Sequence, residues 1–246
     1  MKKLYEKSEI GFSLLWICVY VLGTSLADLL SEALSVEKSV TFIFHLALTV
    51  FALIWLARNR LFAEYGLTRP TVLPRRFLFY IPLAACASVN LWFGLQVNMR
   101  IEEILFYVGS MLCVGFLEEL IFRGFLFVAM AKSGVKSATV VSSLTFGIGH
   151  LVNLVNGSGA ELIPNLCQVI YAIAFGFLFV AIFYRGGSLI PCIITHSVIN
   201  ALSAFAADLG DAHTVVISLI LTAIAVSYTI FIYRTIPPQM SDREQK

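Results

Sequence analysis

Apolar residues along this chain fall into long runs that are separated by short polar segments. A helix needs about 20 consecutive apolar residues to cross the hydrocarbon core of a bilayer, and these runs reach that length. The pattern therefore predicts an all-α fold with eight membrane-spanning helices, near residues 11–30, 39–57, 77–96, 104–131, 137–154, 163–184, 188–207 and 214–233.

The composition agrees with a chain whose main solvent is lipid. Apolar residues make up 59% of the 246 residues and charged residues only 13%, whereas about a quarter of the residues in a soluble domain are charged. So little charge cannot cover a water-exposed surface. We therefore expect a single membrane domain over residues 1–246, a polytopic helical bundle in contact with membrane lipid. The formal net charge of +2 gives no indication of a nucleic-acid partner.

The polar loops differ in charge on the two sides of the predicted bundle. Of the 17 Lys and Arg residues, only Lys38, Arg100 and Arg123 lie outside the loops on the side of the N-terminus. The loops on the opposite side are acidic and contain Glu32, Glu37, Glu102, Glu103, Glu161, Asp208 and Asp211. Cytoplasmic loops of membrane proteins are enriched in Lys and Arg. This bias predicts that both termini are cytoplasmic, and it supports the count of eight spans.

Three charged residues lie near the centre of the fourth span: Glu118, Glu119 and Arg123. Each such group costs about 2.5–3.5 kcal/mol at a helix centre, so the cluster needs a compensating structure or a function. Glu119 and Arg123 are four residues apart in the orientation that favours an ion pair. Because Glu118 lies about 100° around the helix from Glu119, we expect it to face a polar cavity. The alternative is a charge cluster that only holds helices together.

Polar residues of two further spans are predicted to lie at a similar depth. His150 ends the sequence Phe146-Gly147-Ile148-Gly149-His150, whose glycines would allow close helix approach. His196 and Asn200 lie four residues apart and so face the same side of the seventh span. At a rise of 1.5 Å per residue, these groups and Glu118 lie about 12–20 Å from the cytoplasmic ends of their spans. The fourth, fifth and seventh spans could therefore present one shared polar site.

Several other residues receive a structural interpretation. His45, in the second span, is predicted to be a packing histidine. Pro82 and Pro191 are predicted to kink or begin their spans. The Gly- and Ser-containing segment 156–159 is predicted to be a turn.

In this order, Glu118-Glu119-x-x-x-Arg123, Phe146-x-x-x-His150 and His196-x-x-x-Asn200 resemble the three motifs of the CAAX-protease and bacteriocin-processing family of membrane proteins. The resemblance covers about residues 104–200. It divides the chain into N-terminal spans over 11–103, catalytic core spans over 104–207, and a last span with a cytoplasmic tail over 208–246.

The resemblance implies an intramembrane endopeptidase that hydrolyses membrane-associated peptides or protein tails close to the cytoplasmic half of the membrane. Glu118 and His150 would activate a water molecule, and His196 and Asn200 would donate hydrogen bonds to the oxyanion. Glu119 would support this arrangement together with Arg123. The short loops favour a bacterial plasma membrane.

The cofactor and the function class stay open at this point. Zn²⁺ could be held by Glu118, His150 and His196 with an open position for water, or the site could need no metal. The expected pairing of His196 with Asn200 as hydrogen-bond donors favours the metal-free mechanism. Two alternatives to an enzyme are a non-catalytic protein of bacteriocin immunity or secretion that keeps the fold, and a transporter that relays protons.

Overall fold

The computed structural model describes residues 1–156 and 160–237 of the chain, so the turn predicted at 156–159 lies largely outside the described residues. The fold is an all-α helical bundle, as predicted. Its helices are α1 (Lys2–Lys7), α2 (Glu9–Ala33), α3 (Ser39–Asn59), α4 (Ile81–Ala87), α5 (Ile101–Ala131), α6 (Val135–Leu154), α7 (Leu162–Gly186), α8 (Ile190–Phe205) and α9 (Asp211–Thr235).

Six of the helices in the described residues are long and apolar enough to cross a bilayer: α2, α3, α5, α6, α7 and α9. They indicate an integral membrane protein. The helix α8 is apolar but shorter, and its last turn, Ser203–Phe205, is a 3₁₀ turn. Pro191 lies in its first turn, as predicted.

The prediction of one continuous helix over 77–96 is wrong. This segment consists of a distorted 3₁₀ stretch (Pro74–Tyr80), the seven-residue helix α4 and a 3₁₀ turn (Val89–Leu91). Pro82 lies in the first turn of α4 and has no backbone N–H to bond the preceding turn. A helix cannot pass through this position undisturbed, so α4 begins afresh after Tyr80, whose φ is 58°.

The broken segment nevertheless connects the two ends of the bundle. At one end the Tyr228 hydroxyl, from the last turns of α9, donates a hydrogen bond to the carbonyl of Phe77 at 2.6 Å. At the other end the backbone N–H of Gln96 donates to the carbonyl of Phe205, at the end of α8, at 3.0 Å. Segments 77–96 and 190–205 are therefore irregular or short connections between the ends rather than full-length spans.

The two ends of the bundle carry opposite charge. At the end that we call the basic end (residues 1–9, 58–80, 132–136, 185–189 and 234–237), Lys132 forms an ion pair with Glu9 at 2.6 Å. Its loops are also joined by a hydrogen bond from the Leu189 N–H to the Gly66 carbonyl at 2.8 Å. The other end, which we call the acidic end, comprises residues 33–38, 92–103, 155–156, 160–162 and 206–213. There Arg100 donates to the carbonyl of Ser35 at 3.1 Å.

The middle of α5 lies at the centre of the bundle. Residues Glu119–Phe127 form a π-helix, and every one of them is buried. Short π-helical segments within α-helices are frequent at functional sites. Towards the basic end, Phe125 of this stretch packs against the aromatic rings of Phe12, Trp16 and Trp55 from α2 and α3. This aromatic cluster fixes α5 against the two N-terminal spans.

Candidate active site

The adjacent carboxylates Glu118 and Glu119 point into different surroundings, as their helical spacing predicted. The Glu119 side chain is fully buried, and its Oε1 accepts a hydrogen bond from Nη1 of Arg123 at 3.0 Å. The Glu118 side chain is 14% exposed and lines the central cavity. Its Oε1 accepts a hydrogen bond from the Tyr20 hydroxyl at 2.7 Å. One carboxylate therefore neutralises a buried cation, and the other faces open space.

Arg123 is held by aromatic rings as well as by Glu119. The side chain is completely buried, and its guanidinium carbon lies 3.9 Å from the ring centroid of Phe146 and 5.5 Å from that of Phe179. A guanidinium over an aromatic face gains cation–π attraction, which is stronger away from water. These contacts explain how α5 holds a charged side chain at its centre, and they tie α5 to α6 and α7.

His196 lies between the two glutamates. Its Nδ1 is 2.8 Å from Oε1 of Glu119, and its Nε2 is 3.6 Å from Oε2 of Glu118. Because a carboxylate only accepts hydrogen bonds, the short contact assigns a proton to Nδ1. In neutral His196, Nε2 then carries a lone pair. It can donate a hydrogen bond only in the imidazolium form.

His150 lies where α6 changes from α-helix to a 3₁₀ turn. Its Nδ1 is 3.0 Å from the carbonyl of Phe146, so Nδ1 carries the proton and donates. The lone pair of Nε2 is therefore free for a proton or a substrate. The Asn165 amide of α7 donates to the carbonyl of His150 at 2.9 Å and supports the end of the helix. His150 and Glu118 line the same cavity.

Asn200 lies one turn beyond His196 on α8 and lines the cavity. The turn Val89–Leu91 holds this part of α8 in place, because the Asn90 amide donates a hydrogen bond to the carbonyl of Ile199 at 2.7 Å. Towards α5, a Cβ added at Gly115 would lie 2.5 Å from the backbone nitrogen of Ser197. Gly115 thus allows the close contact between α5 and α8 that brings His196 to the glutamates.

The two glycines of the Phe146–His150 motif have different environments. A Cβ on Gly147 would lie 2.3 Å from Cγ1 and 2.8 Å from the backbone nitrogen of Ile173 in α7, so Gly147 permits the predicted close approach. A Cβ on Gly149 would meet no atom within 4 Å. The prediction that Gly149 also allows close packing is wrong.

The structure brings all six predicted site residues to one region of the bundle. Four of them, Glu118, His150, His196 and Asn200, line a cavity of 690 Å³. The other two, Glu119 and Arg123, are buried behind it.

Sequence reasoning missed Tyr20, the hydrogen-bond donor to Glu118. A hydroxyl in the middle of the first apolar run was the available signal, but its partner lies 98 positions away. Tyr20 also stacks on His45, with ring centroids 5.6 Å apart. As predicted, His45 is a buried packing residue: its nitrogens contact the hydroxyls of Thr24 and Ser110, both at 2.9 Å.

The arrangement of the ligand-type side chains does not fit a metal site. Among residues 1–156 and 160–237, no group of three His, Cys, Asp or Glu side chains is placed to hold a metal ion. The zinc ligands considered from the sequence, Glu118, His150 and His196, therefore do not form such a group.

Fold and site together define a membrane protein of helical bundle type with a buried network of glutamate and histidine side chains beside a cavity. Residues 100–202 match the model of the family described as type II CAAX prenyl endopeptidase, Rce1-like. These residues form a domain of that family, as the three motifs indicated, and the family implies a peptidase that acts on protein or peptide substrates. No curated protein and no solved structure matched the chain in the comparisons. Tyr20 lies outside the matched range.

Proposed function

We propose that this protein is an intramembrane endopeptidase that hydrolyses membrane-associated peptides or protein tails. The observation that carries the proposal is the convergence of Glu118, His150, His196 and Asn200 on one cavity. A base, a second proton acceptor and two polar side chains around open space are the groups that water attack on a peptide carbonyl requires. The family domain over 100–202 supports the same reaction class.

The reaction begins with a water molecule between Glu118 and His150. One of these groups takes a proton from the water, and the water oxygen attacks the carbonyl carbon of the peptide bond. The carbonyl oxygen becomes an oxyanion that accepts hydrogen bonds from the Asn200 amide and from Nε2 of protonated His196. When the tetrahedral intermediate collapses, the C–N bond breaks and the abstracted proton passes to the leaving amine. The products are a carboxylate and an amine.

Glu119 and Arg123 position the site and do not touch the substrate in this mechanism. Glu119 accepts hydrogen bonds from Arg123 at 3.0 Å and from His196 at 2.8 Å. The contact with His196 orients the imidazole, so that Nε2 points towards Glu118 and the cavity. Donation from Nε2 uses the imidazolium form of His196, in which Nδ1 still donates to Glu119.

We propose the metal-free form of this mechanism. In the part of the chain that the structure describes, no three His, Cys, Asp or Glu side chains are grouped as metal ligands. Each histidine keeps Nε2 for proton transfer or donation. A chelator such as 1,10-phenanthroline should therefore leave the cleavage rate unchanged, whereas a metal-dependent enzyme would lose activity and regain it when zinc is added back.

The proposal includes the orientation of the bundle in the membrane. With the basic end in the cytoplasm, the Lys and Arg residues of the loops follow the positive-inside rule. Both termini would then be cytoplasmic, and the short segments 77–96 and 190–205 would count as the third and seventh of eight crossings. We place the protein in a bacterial plasma membrane.

The test is peptide cleavage by the purified protein in liposomes, with membrane-anchored and leader-type peptides as substrates and mass spectrometry as the readout. The wild type is compared with Glu118→Gln, His150→Ala and His196→Ala. Glu102→Gln is the matched control, because this exposed glutamate belongs to the same helix, α5, but does not line the cavity. We expect cleavage by the wild type and the control only. Equal cleavage by wild type and Glu118→Gln would remove the catalytic assignment of Glu118, because the cleavage would then come from another site or another protein.

A further inference from the structure

We propose that the substrate reaches Glu118 through the acidic end of the bundle, and that the segment which enters carries basic side chains. This inference rests on the proposed function and adds the side and the charge of the substrate. It departs from the expectation of action close to the cytoplasmic half of the membrane.

The cavity runs from Glu118 towards the acidic end. Its lining includes Glu37, Phe93 and Asp208, and all three are exposed. Its deep part is formed by Tyr20 and Glu118, which are largely buried. A continuous space therefore joins the acidic end to the glutamate that faces the cavity.

The path towards the basic end is closed. Immediately beyond Glu118, the π-helical residues Glu119–Phe127 are all buried. The aromatic cluster of Phe12, Trp16, Trp55 and Phe125 fills the space next to them, and each of these side chains is no more than 7% exposed. A peptide segment could not pass this cluster without unpacking it.

The charges that line the cavity favour a cation. Among the described residues, the lining contains Asp28, Glu37 and Asp208 besides Glu118, and Lys38 is its one Lys or Arg residue. Lys38 is neutralised by Asp28 in an ion pair of 2.8 Å. The negative charge of Glu37 and Asp208 therefore remains at the mouth of the cavity. A cleft lined by one sign of charge attracts ligands of the opposite sign and raises their local concentration.

The positive-inside rule indicates which side of the membrane the mouth of the cavity faces. If the basic end is cytoplasmic, the mouth faces the outer side of the membrane. The substrate would be a cationic peptide segment that is exposed at, or exported to, the outer surface.

The side of access is tested with single cysteines and a membrane-impermeant maleimide on intact bacterial cells. Ala207→Cys places a thiol on the cavity wall at the acidic end, and Ser133→Cys places one at an exposed position of the basic end. The wild type, with its five native free cysteines, gives the background. We expect labelling of Ala207→Cys in intact cells and of Ser133→Cys only after permeabilisation. The reverse pattern would overturn the proposed side.

The path and its charge are tested at Val21, which lines the cavity beside Tyr20. Val21→Cys is treated from the outer side with a cationic and an anionic methanethiosulfonate of similar size. We expect the cationic reagent to react about tenfold faster, the lower range for steering by a charged cleft. The ratio should fall when Glu37→Gln and Asp208→Asn are added. Equal rates, or reaction only from the cytoplasmic side, would overturn the proposal.

These measurements do not depend on catalysis. A protein that labels as expected but cleaves no peptide would contradict the proposed function and leave the direction of access intact. A protein that cleaves peptides but is labelled in the reverse pattern would contradict only the proposed direction of substrate access.

Discussion

Glu118 and Glu119 provide a paired test, because replacing the Glu118 carboxylate by an amide should mainly affect catalysis, whereas the same change at Glu119 should mainly affect stability. Glu118→Gln keeps an oxygen that can accept the hydrogen bond from Tyr20 and leaves no buried charge without a partner. We expect a cost of about 1 kcal/mol for the weaker hydrogen bond, together with complete loss of peptide cleavage.

Glu119→Gln removes the only counter-ion that Arg123 contacts at hydrogen-bond distance among the described residues. Both side chains are 0% exposed, and removing one partner of a buried ion pair costs about 3–5 kcal/mol. For a protein of this length, each kcal/mol changes the melting temperature by roughly 2–4 °C. We therefore expect Glu119→Gln to melt about 6–20 °C below the wild type.

The assay is thermal unfolding in detergent, followed by the fluorescence of the three tryptophans. The double variant Glu119→Gln/Arg123→Met should recover part of the loss, because it removes the unpaired cation as well. If Glu118→Gln and Glu119→Gln melted at the same temperature, the assignment of one carboxylate to stability and the other to chemistry would be refuted.

Three further predictions concern residues around the site. Tyr20→Phe should lower kcat about 10- to 100-fold with little change in KM, because a hydrogen bond to a charged group contributes about 1.5–3 kcal/mol. The control Tyr228→Phe, which loses a buried hydroxyl at the basic end, should change stability alone. An equal loss of kcat in both variants would exclude a positioning role for Tyr20. Gly147→Ala should lower the melting temperature and Gly149→Ala should not, as unfolding curves would reveal; similar curves would contradict the close approach of α6 and α7. Asn200→Ala should reduce kcat about 100- to 1,000-fold if the amide donates to the oxyanion, whereas a change confined to KM would assign it to substrate binding.

Local spacing was enough to predict the parts of the site that lie on one helix. Glu119 and Arg123 are four residues apart, so helical geometry alone indicated their pairing and the divergence of Glu118. The distance from Tyr20 to Glu118 along the chain is 98 positions, and no periodic pattern encodes such a contact. The contact of His196 with Glu119 was missed for the same reason: it depends on the close crossing of α5 and α8 at Gly115.

The fold was predictable where a long apolar run also forms one uninterrupted helix, as in α2, α3, α5, α6, α7 and α9. Over 77–96 the apolar run predicted one continuous helix, because hydropathy does not register the hydrogen bond that Pro82 cannot make, although Pro82 itself was expected to kink or begin its span. The end of the bundle at which the cavity opens was also not predicted. It depends on the aromatic cluster of α2, α3 and α5, which blocks the space between the cavity and the basic end.

The central claim is that a water molecule activated at Glu118 attacks the peptide bond. The most direct measurement is a single turnover of a cleaved peptide in water enriched in oxygen-18, followed by mass spectrometry of the new carboxyl group. We expect one labelled oxygen in the product of the first turnover with the wild type, and no product with Glu118→Gln. A first-turnover product without the label, or the same rate of product formation by Glu118→Gln, would contradict this claim.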